Sequence, residues 1–194
     1  MANIVLIATG AIRAYRQLEL ARELLARGHA VRCLHTPRSL LFLGVYLLRN
    51  PRQMPLFFRL MHSPLAEAFS YIASGFGRRA SHVVTARWAD VIVVAPATCN
   101  TLGKITSGVT DNYALLVVRA FQRDRRVVLA PAMNPEMWAD PFTRHNIERL
   151  KATEKYLVVD PIIAATMGSG EVGLGVLAHN EQILAGVDAA LARA

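Results

Sequence analysis

Residues 3–12, NIVLIATGAI, decide the fold. Residues 3–9 form a short, nearly continuous apolar run, the pattern of a parallel strand covered on both faces. Gly10 follows, and over 12–25 apolar residues recur at helical spacing until Arg27-Gly28, a helix-ending glycine signal. The same grammar continues down the chain. Residues 30–35, 90–96, 126–131 and 156–159 read as further strands, and 112–122, 135–150 and 180–192 as helices. Strands alternating with helices over short loops predict an α/β domain with a doubly wound parallel sheet. Neither a linker nor an internal repeat interrupts it, so residues 1–194 read as one domain.

Composition bounds the function classes. The chain has 194 residues, 53% apolar and 19% charged, which excludes a disordered protein and suffices for one real core. Cys33 and Cys99 cannot build a disulfide framework, and their apolar neighbours suggest reduced, buried thiols. The longest apolar run outside the N-terminus, 40–48, is far short of the roughly 20 residues a membrane span needs. With no basic leader ahead of the first apolar run, a cytoplasmic protein is expected.

Lys plus Arg outnumber Asp plus Glu by 22 to 14, a net charge of +8. That balance suits an anionic cofactor or an acidic partner, but no nucleic-acid motif accompanies it, and no nucleic-acid partner is expected. Residues 40–79 stand apart, rich in Leu, Phe, Met, Arg and Pro. They read as a helical excursion on the domain, with subunit contact, a membrane-surface face or a lid as its possible uses.

In open parallel sheets ligands bind beyond the carboxyl ends of the strands, so the strand-following loops carry the chemistry. The first, Thr9-Gly10-Ala11-Ile12, has one glycine where backbone N–H groups can approach a phosphate. It lacks the dinucleotide fingerprint, which favours a mononucleotide. Gly168, Gly170 and Gly173 have that fingerprint's spacing but lie after the last predicted strand, and read as a glycine-rich flap. Two strands end in Ala-Pro, at Pro96 and Pro131, and each is followed by an asparagine, Asn100 or Asn134. Carboxamides both donate and accept, so these two can hold a carboxylate or a flavin edge, or simply cap helices. His82, just before the third strand, is one of six histidines and by position alone reads as structural or catalytic.

The segments ATGAIRAY, HVVTARWADVIVVAPATCNTLGKITSGVTDN, and PAMNPEMW followed by DPFTRHNI resemble, in order, the flavin-containing cysteine decarboxylases. That family includes phosphopantothenoylcysteine decarboxylases and the enzymes that decarboxylate a C-terminal peptidyl cysteine in lantibiotic-type peptides. The resemblance runs from the first strand to about residue 150, leaving only 40–79 unfamiliar. It implies a flavodoxin-like (Rossmann-like) fold, assembly as trimers or as dodecamers of trimers, and FMN at a subunit interface. FMN would then lie against Gly10, Ala11 and Ile12, Thr36 and Ser39, Thr98, Cys99, Asn100 and Thr101, and Ala132. His82 falls on the family's catalytic histidine, and Asn134 and Met137 on its substrate-binding Asn and Met; no metal is implied. Cys99 would be a small space-filler, and Lys104 and Asp111 helix-surface or subunit-contact residues.

The chemistry implied is oxidative decarboxylation. A hydride equivalent leaves Cβ of the substrate cysteine for FMN, the thioaldehyde delocalises the charge left by departing CO₂, and an enethiol results. His82 would assist proton transfer and Asn134 would hold the carboxylate.

One departure separates the branches. In phosphopantothenoylcysteine decarboxylases a flap A-C-G-x-x-G-x-G carries a cysteine that protonates the enethiolate as the flavin returns its electrons. Here the spacing is kept from Gly168 to Gly175, but Ser169 occupies the cysteine's place beside the substrate. A thiol titrates near about 8.5, whereas an aliphatic hydroxyl is a far weaker acid. The expected reaction therefore stops at the enethiol, on a precursor peptide ending in cysteine, giving an aminovinyl-cysteine precursor. The alternatives are phosphopantothenoylcysteine decarboxylation in coenzyme A biosynthesis, a non-catalytic FMN-binding regulatory relative, and a flavin prenyltransferase.

Overall fold

The computed structural model describes residues 1–61, 81–122 and 124–192. Among these residues five strands form one parallel sheet in the order β2-β1-β3-β4-β5. The strands are β1 (Asn3–Ala8), β2 (Ala30–His35), β3 (Val91–Ala97), β4 (Val127–Pro131) and β5 (Tyr156–Val158). The 2-1-3-4-5 order is the doubly wound flavodoxin-like arrangement, with its switch point between β1 and β3. Both neighbours of β1 pair in parallel register, Leu6 facing Cys33 on one side and Val93 on the other. The continuous apolar runs follow from this, because every residue of β3 is buried.

Each strand divides its side chains between two cores. Val5, Ile7, Ile92, Val94, Val127 and Leu129 face a layer containing Leu102, Leu115, Val118, Ile147 and Leu150. Ile4, Leu6, Val91, Val93 and Val128 face Leu20, Leu24, Ile183, Leu184 and Val187. The first layer comprises α4 (Ser81–Trp88), α5 (Cys99–Ser107), α6 (Tyr113–Ala120) and α8 (Pro141–Lys151), and the second α1 (Arg16–Ala26) and α9 (Asn180–Leu191). Helix α1 ends where its sequence says it should. Gly28 has φ +81°, its N–H bonds to the Leu25 carbonyl at 3.0 Å, and the His29 N–H returns to the Leu24 carbonyl at 3.1 Å.

Three local readings are corrected. The helical pattern beginning at Ile12 opens as a 3-10 turn, Ile12–Tyr15, before α1 begins at Arg16. The single helix expected over 135–150 is two, α7 (Pro135–Ala139) and α8. Asp140 caps the second by accepting from the Phe142 and Thr143 N–H groups, and Pro141 cannot continue the first. The glycine-rich flap, expected after the last strand, is itself built on two further strands, an antiparallel hairpin of β6 (Ile162–Ala165) and β7 (Val172–Val176). In the excursion, α2 (Pro37–Arg49) and α3 (Met54–Leu60) are helical and bury Leu43, Leu47 and Phe57 against Leu18. Its remainder, residues 62–79, lies outside the described part.

No helix among the described residues is long and apolar enough to cross a membrane. Cys33 is buried, and burial pushes its thiol up to about 12, so it is an inert core residue. Cys99, expected to be buried too, is only half-buried, with Sγ 3.2 Å from the Thr143 hydroxyl.

Helix α9 crosses the sheet through Gly186. A methyl there would sit 2.9 Å from Val159 Cγ2 and 3.3 Å from Val128 Cγ1. Gly186→Val should therefore destabilise the domain by about 1–3 kcal/mol, read as a lower urea midpoint with an unchanged denaturant slope.

Candidate active site

The carboxyl ends of β1 to β4 open onto one cavity of about 810 Å³, closed from the far side by the β6–β7 hairpin. Its loops are tied to one another by short bonds. Thr9, at the end of β1, donates its hydroxyl to the Pro96 carbonyl at 2.7 Å and accepts from the Thr98 N–H at 3.0 Å. The Thr36 N–H donates to the Ala8 carbonyl at 3.2 Å, and the Ala132 N–H to the Ala97 carbonyl at 2.9 Å. The hairpin joins them through the Met133 N–H, which donates to the Gly175 carbonyl at 2.9 Å. Gly175 has φ +141°, and a Cβ there would lie 2.8 Å from the Met133 carbonyl oxygen, so only glycine allows this approach.

Most of the residues singled out from sequence line this cavity: Gly10, Ala11, Ile12, Thr36, Thr98, Cys99, Asn100, Thr101, Ala132, Asn134, Met137 and Ser169. Three helical starts aim at it. The 3-10 turn begins after Ala11, which makes no side-chain cap bond. Helix α5 begins after Thr98, whose hydroxyl accepts from the Thr101 N–H at 3.4 Å. Helix α2 begins after Thr36, which gives no cap bond. Free first-turn N–H groups and their dipoles favour an anion at such ends.

Asn134 is seen as a helix cap. Its Oδ1 caps α7, accepting from the Met137 N–H at 2.8 Å. That leaves Nδ2 as a donor on the cavity side, suited to a carboxylate. Met137 is 44% exposed beside it and offers an apolar wall. Ser169, in the hairpin turn, bonds to the Thr166 hydroxyl at 2.7 Å and accepts a longer bond from the Glu171 N–H at 3.4 Å.

Two expected residues are not on the wall. Ser39 is fully buried beneath it, its hydroxyl donating 2.8 Å to the Thr36 carbonyl. It supports the loop rather than facing the cavity. His82 is half-buried near the start of α4, one helix removed from the wall. Helix α4 is joined through Thr85 and the Tyr113 hydroxyl, 2.9 Å apart, to α6, whose cap Asn112 does line the cavity.

The wall also holds residues that sequence reasoning passed over. Arg13, Arg38, Met133, Thr166 and Met167 line it, as do Lys104 and Asp111, which were read as surface or contact residues. Lys104 pairs with Asp111 and holds its carboxyl below the usual carboxylate range. Their only sequence signal was position, in the helix that follows β3 or just after it. Among the described residues no group of three or more metal-ligating side chains occurs.

A single cavity at the carboxyl edge of a 2-1-3-4-5 sheet, rimmed by helix starts and small residues, defines a mononucleotide-binding α/β domain. Residues 1–192 match the flavoprotein family, and the chain belongs to it. Mouse phosphopantothenoylcysteine decarboxylase is 39% identical over 112 residues, which cover 58% of this chain and 54% of that protein. An Arabidopsis thaliana phosphopantothenoylcysteine decarboxylase is 39% identical over 98 residues, covering 50% of this chain and 46% of that protein. The chain thus spans about half the length of the curated relatives it matches.

Among solved structures, a cysteine-to-serine mutant of PPC decarboxylase complexed with pantothenoylaminoethenethiol superposes with TM-score 0.83 at 30% identity, covering 97% of both chains. The FMN-binding protein AtHal3 gives 0.79 at 30%, covering 97% of this chain and 95% of that one. The peptidyl-cysteine decarboxylase EpiD shares the fold, with TM-score 0.72 at 24% identity over 96% of this chain and 99% of that one.

The residues present fit a flavin mononucleotide. The volume lies within the range of small-molecule sites, about 300–1,000 Å³. Thr36 Oγ1 is buried without a hydrogen-bond partner among the described residues, which suits a ligand oxygen. Gly10, without a side chain, lets the Arg38 stem pack against the first loop, where a Cβ would fall 2.6 Å from Arg38 Cβ.

Proposed function

We propose that this protein is an FMN-dependent decarboxylase of C-terminal peptidyl cysteine whose turnover ends at the enethiol. The observation that carries the reading is Ser169, a hydroxyl on the cavity wall where the reductive branch of the family needs a thiol. A cysteine-to-serine PPC decarboxylase that holds an aminoethenethiol is what such an arrest looks like in a relative. The sequence similarity to phosphopantothenoylcysteine decarboxylases favours a second reading, in which phosphopantothenoylcysteine is the substrate.

FMN would be held by the Gly10–Ile12 loop and Thr36 at one end and by Thr98 to Thr101 and Ala132 at the other. When bound, it supplies the acceptor for the hydride equivalent that leaves the substrate's Cβ. The chain's own groups do the remainder. Asn134 orients the carboxylate through Nδ2, so that the C–CO₂ bond is the one that breaks. Met137 and the hairpin keep water from that carbon. His82 takes the proton of the substrate thiol, supplied to the cavity of a neighbouring copy in the homo-oligomer. Ser169 offers no acid strong enough to protonate the enethiolate carbon.

The test is one anaerobic turnover, followed by mass spectrometry, with a synthetic peptide ending in cysteine and with phosphopantothenoylcysteine in parallel. A peptide lighter by CO₂ and two hydrogens, with bleached flavin, is the expected result. Phosphopantothenoylcysteine losing CO₂ alone, with the flavin oxidised at the end, would replace the first reading with the second.

A further inference from the structure

We propose that Arg38 is the side-chain cation that holds the phosphate of FMN, an inference that rests on the FMN reading above. Three cationic side chains line the cavity: Arg13, Arg38 and Lys104. Lys104 is already neutralised by Asp111. Arg13 directs Nη2 to the Ala165 carbonyl at 3.5 Å, joining the first loop to the hairpin. Neither arginine has an ion pair among the described residues, but Arg38 also has no hydrogen bond there, so its fork is the one left wholly unengaged on the cavity wall.

Its position is built rather than incidental. A Cβ on Gly10 would fall 2.6 Å from Arg38 Cβ and 3.4 Å from its Cδ, so the arginine stem lies along the bare glycine. The same side chain lines the cavity. Arg38 is also in the first turn of α2, directly after Pro37, and that turn receives no cap from Thr36. The buried, unpartnered Thr36 hydroxyl lies at the same corner.

A phosphate monoester carries about −1.5 to −2 charges near neutrality and three strong acceptor oxygens. The uncapped start of α2 supplies only a partial charge and N–H donors. A guanidinium adds the missing full charge, with a planar fork that matches phosphate oxygens. The neutral end of the flavin has no use for it. Arg38 therefore separates FMN from riboflavin.

The test uses the full chain stripped of flavin and titrated with FMN and with riboflavin by quenching of flavin fluorescence. Arg38→Gln should weaken FMN by about 10- to 100-fold and leave riboflavin as in the wild type. Arg38→Lys should recover part of the difference, because the charge returns without the fork. Equal weakening of both flavins would make Arg38 a packing residue and overturn the proposal. No change in either would overturn it too, and would assign the charge to a substrate phosphate or carboxylate while leaving the FMN reading intact. A wild-type chain that takes up neither flavin would remove both.

Discussion

Replacing His82 by asparagine is expected to lower kcat by roughly 100- to 10,000-fold while FMN loading stays at the wild-type level. The loss follows from the chemistry assigned to it: without an imidazole the thiol proton has no nearby acceptor, and hydride departure from Cβ would leave a cationic sulfur. The retained loading follows from the geometry, since His82 does not line the cavity of its own chain. The same geometry yields a sharper result. Asn134→Asp keeps the acceptor that caps α7 and replaces the Nδ2 donor with a negative oxygen facing the substrate carboxylate. It should therefore fold normally and fail in binding. Each variant alone should be inactive. Mixed and reassembled, they should recover about a quarter of wild-type turnover under the proposed arrangement, in which one subunit's Asn134 works with a neighbour's His82. Mixtures that stay inactive would place both residues on the same chain's site and overturn the shared arrangement.

Much of the fold was legible because a parallel sheet covered on both faces leaves little choice of residue. The runs at 3–9 and 90–96 are apolar without alternation, and the structure buries β3 along its whole length. The capping glycine at Gly28 was equally plain. Less legible was what depends on one backbone step. Asp140-Pro141 splits a helical pattern that continues across it, because the apolar spacing of α8 happens to extend that of α7. The hairpin escaped notice for another reason. Ile163 and Val172 are about 70% exposed, so no buried face imposes a clear period on glycine-rich strands.

The site divides in the same way. Residues that immediately follow strands, such as Gly10, Thr98 and Asn134, were found because the sheet itself delivers them to the cavity. Lys104 and Asp111 read as surface or contact residues because α5 and the turn after it bring them to the wall, a tertiary fact. Ser39 and Thr36 show the limit of carrying positions over from a family. Only three residues apart, they divide the work: one lines the cavity and the other holds that residue's carbonyl from below. Arg38, between them, had no signal but its charge.

Ser169→Cys should change the product rather than the rate of the first half-reaction. The wild-type chain should release an enethiol lighter than the substrate by CO₂ and two hydrogens. With a thiol at position 169, the enethiolate carbon gains a proton donor whose acidity is higher by several orders of magnitude than that of a hydroxyl. The electrons held by the flavin can then return, and the product should be lighter by CO₂ alone. The substitution is small, and the exposed hairpin turn gives it room; the cost is the 2.7 Å bond between Ser169 and Thr166, worth about 0.5–1.5 kcal/mol. Ser169→Ala removes that bond without adding an acid. It should keep the oxidative product and serve as the control for a loosened turn. Anaerobic turnover with the peptide ending in cysteine, and with phosphopantothenoylcysteine in parallel, separates the outcomes by mass and by flavin colour. If Ser169→Cys and wild type both give the enethiol, the thiol alone does not set the endpoint, and the flap's wider surroundings, including Val176 on the cavity wall, decide it instead. If the wild type already returns its electrons, the hydroxyl is no barrier, and the reading of this protein as an enethiol-forming enzyme falls with it.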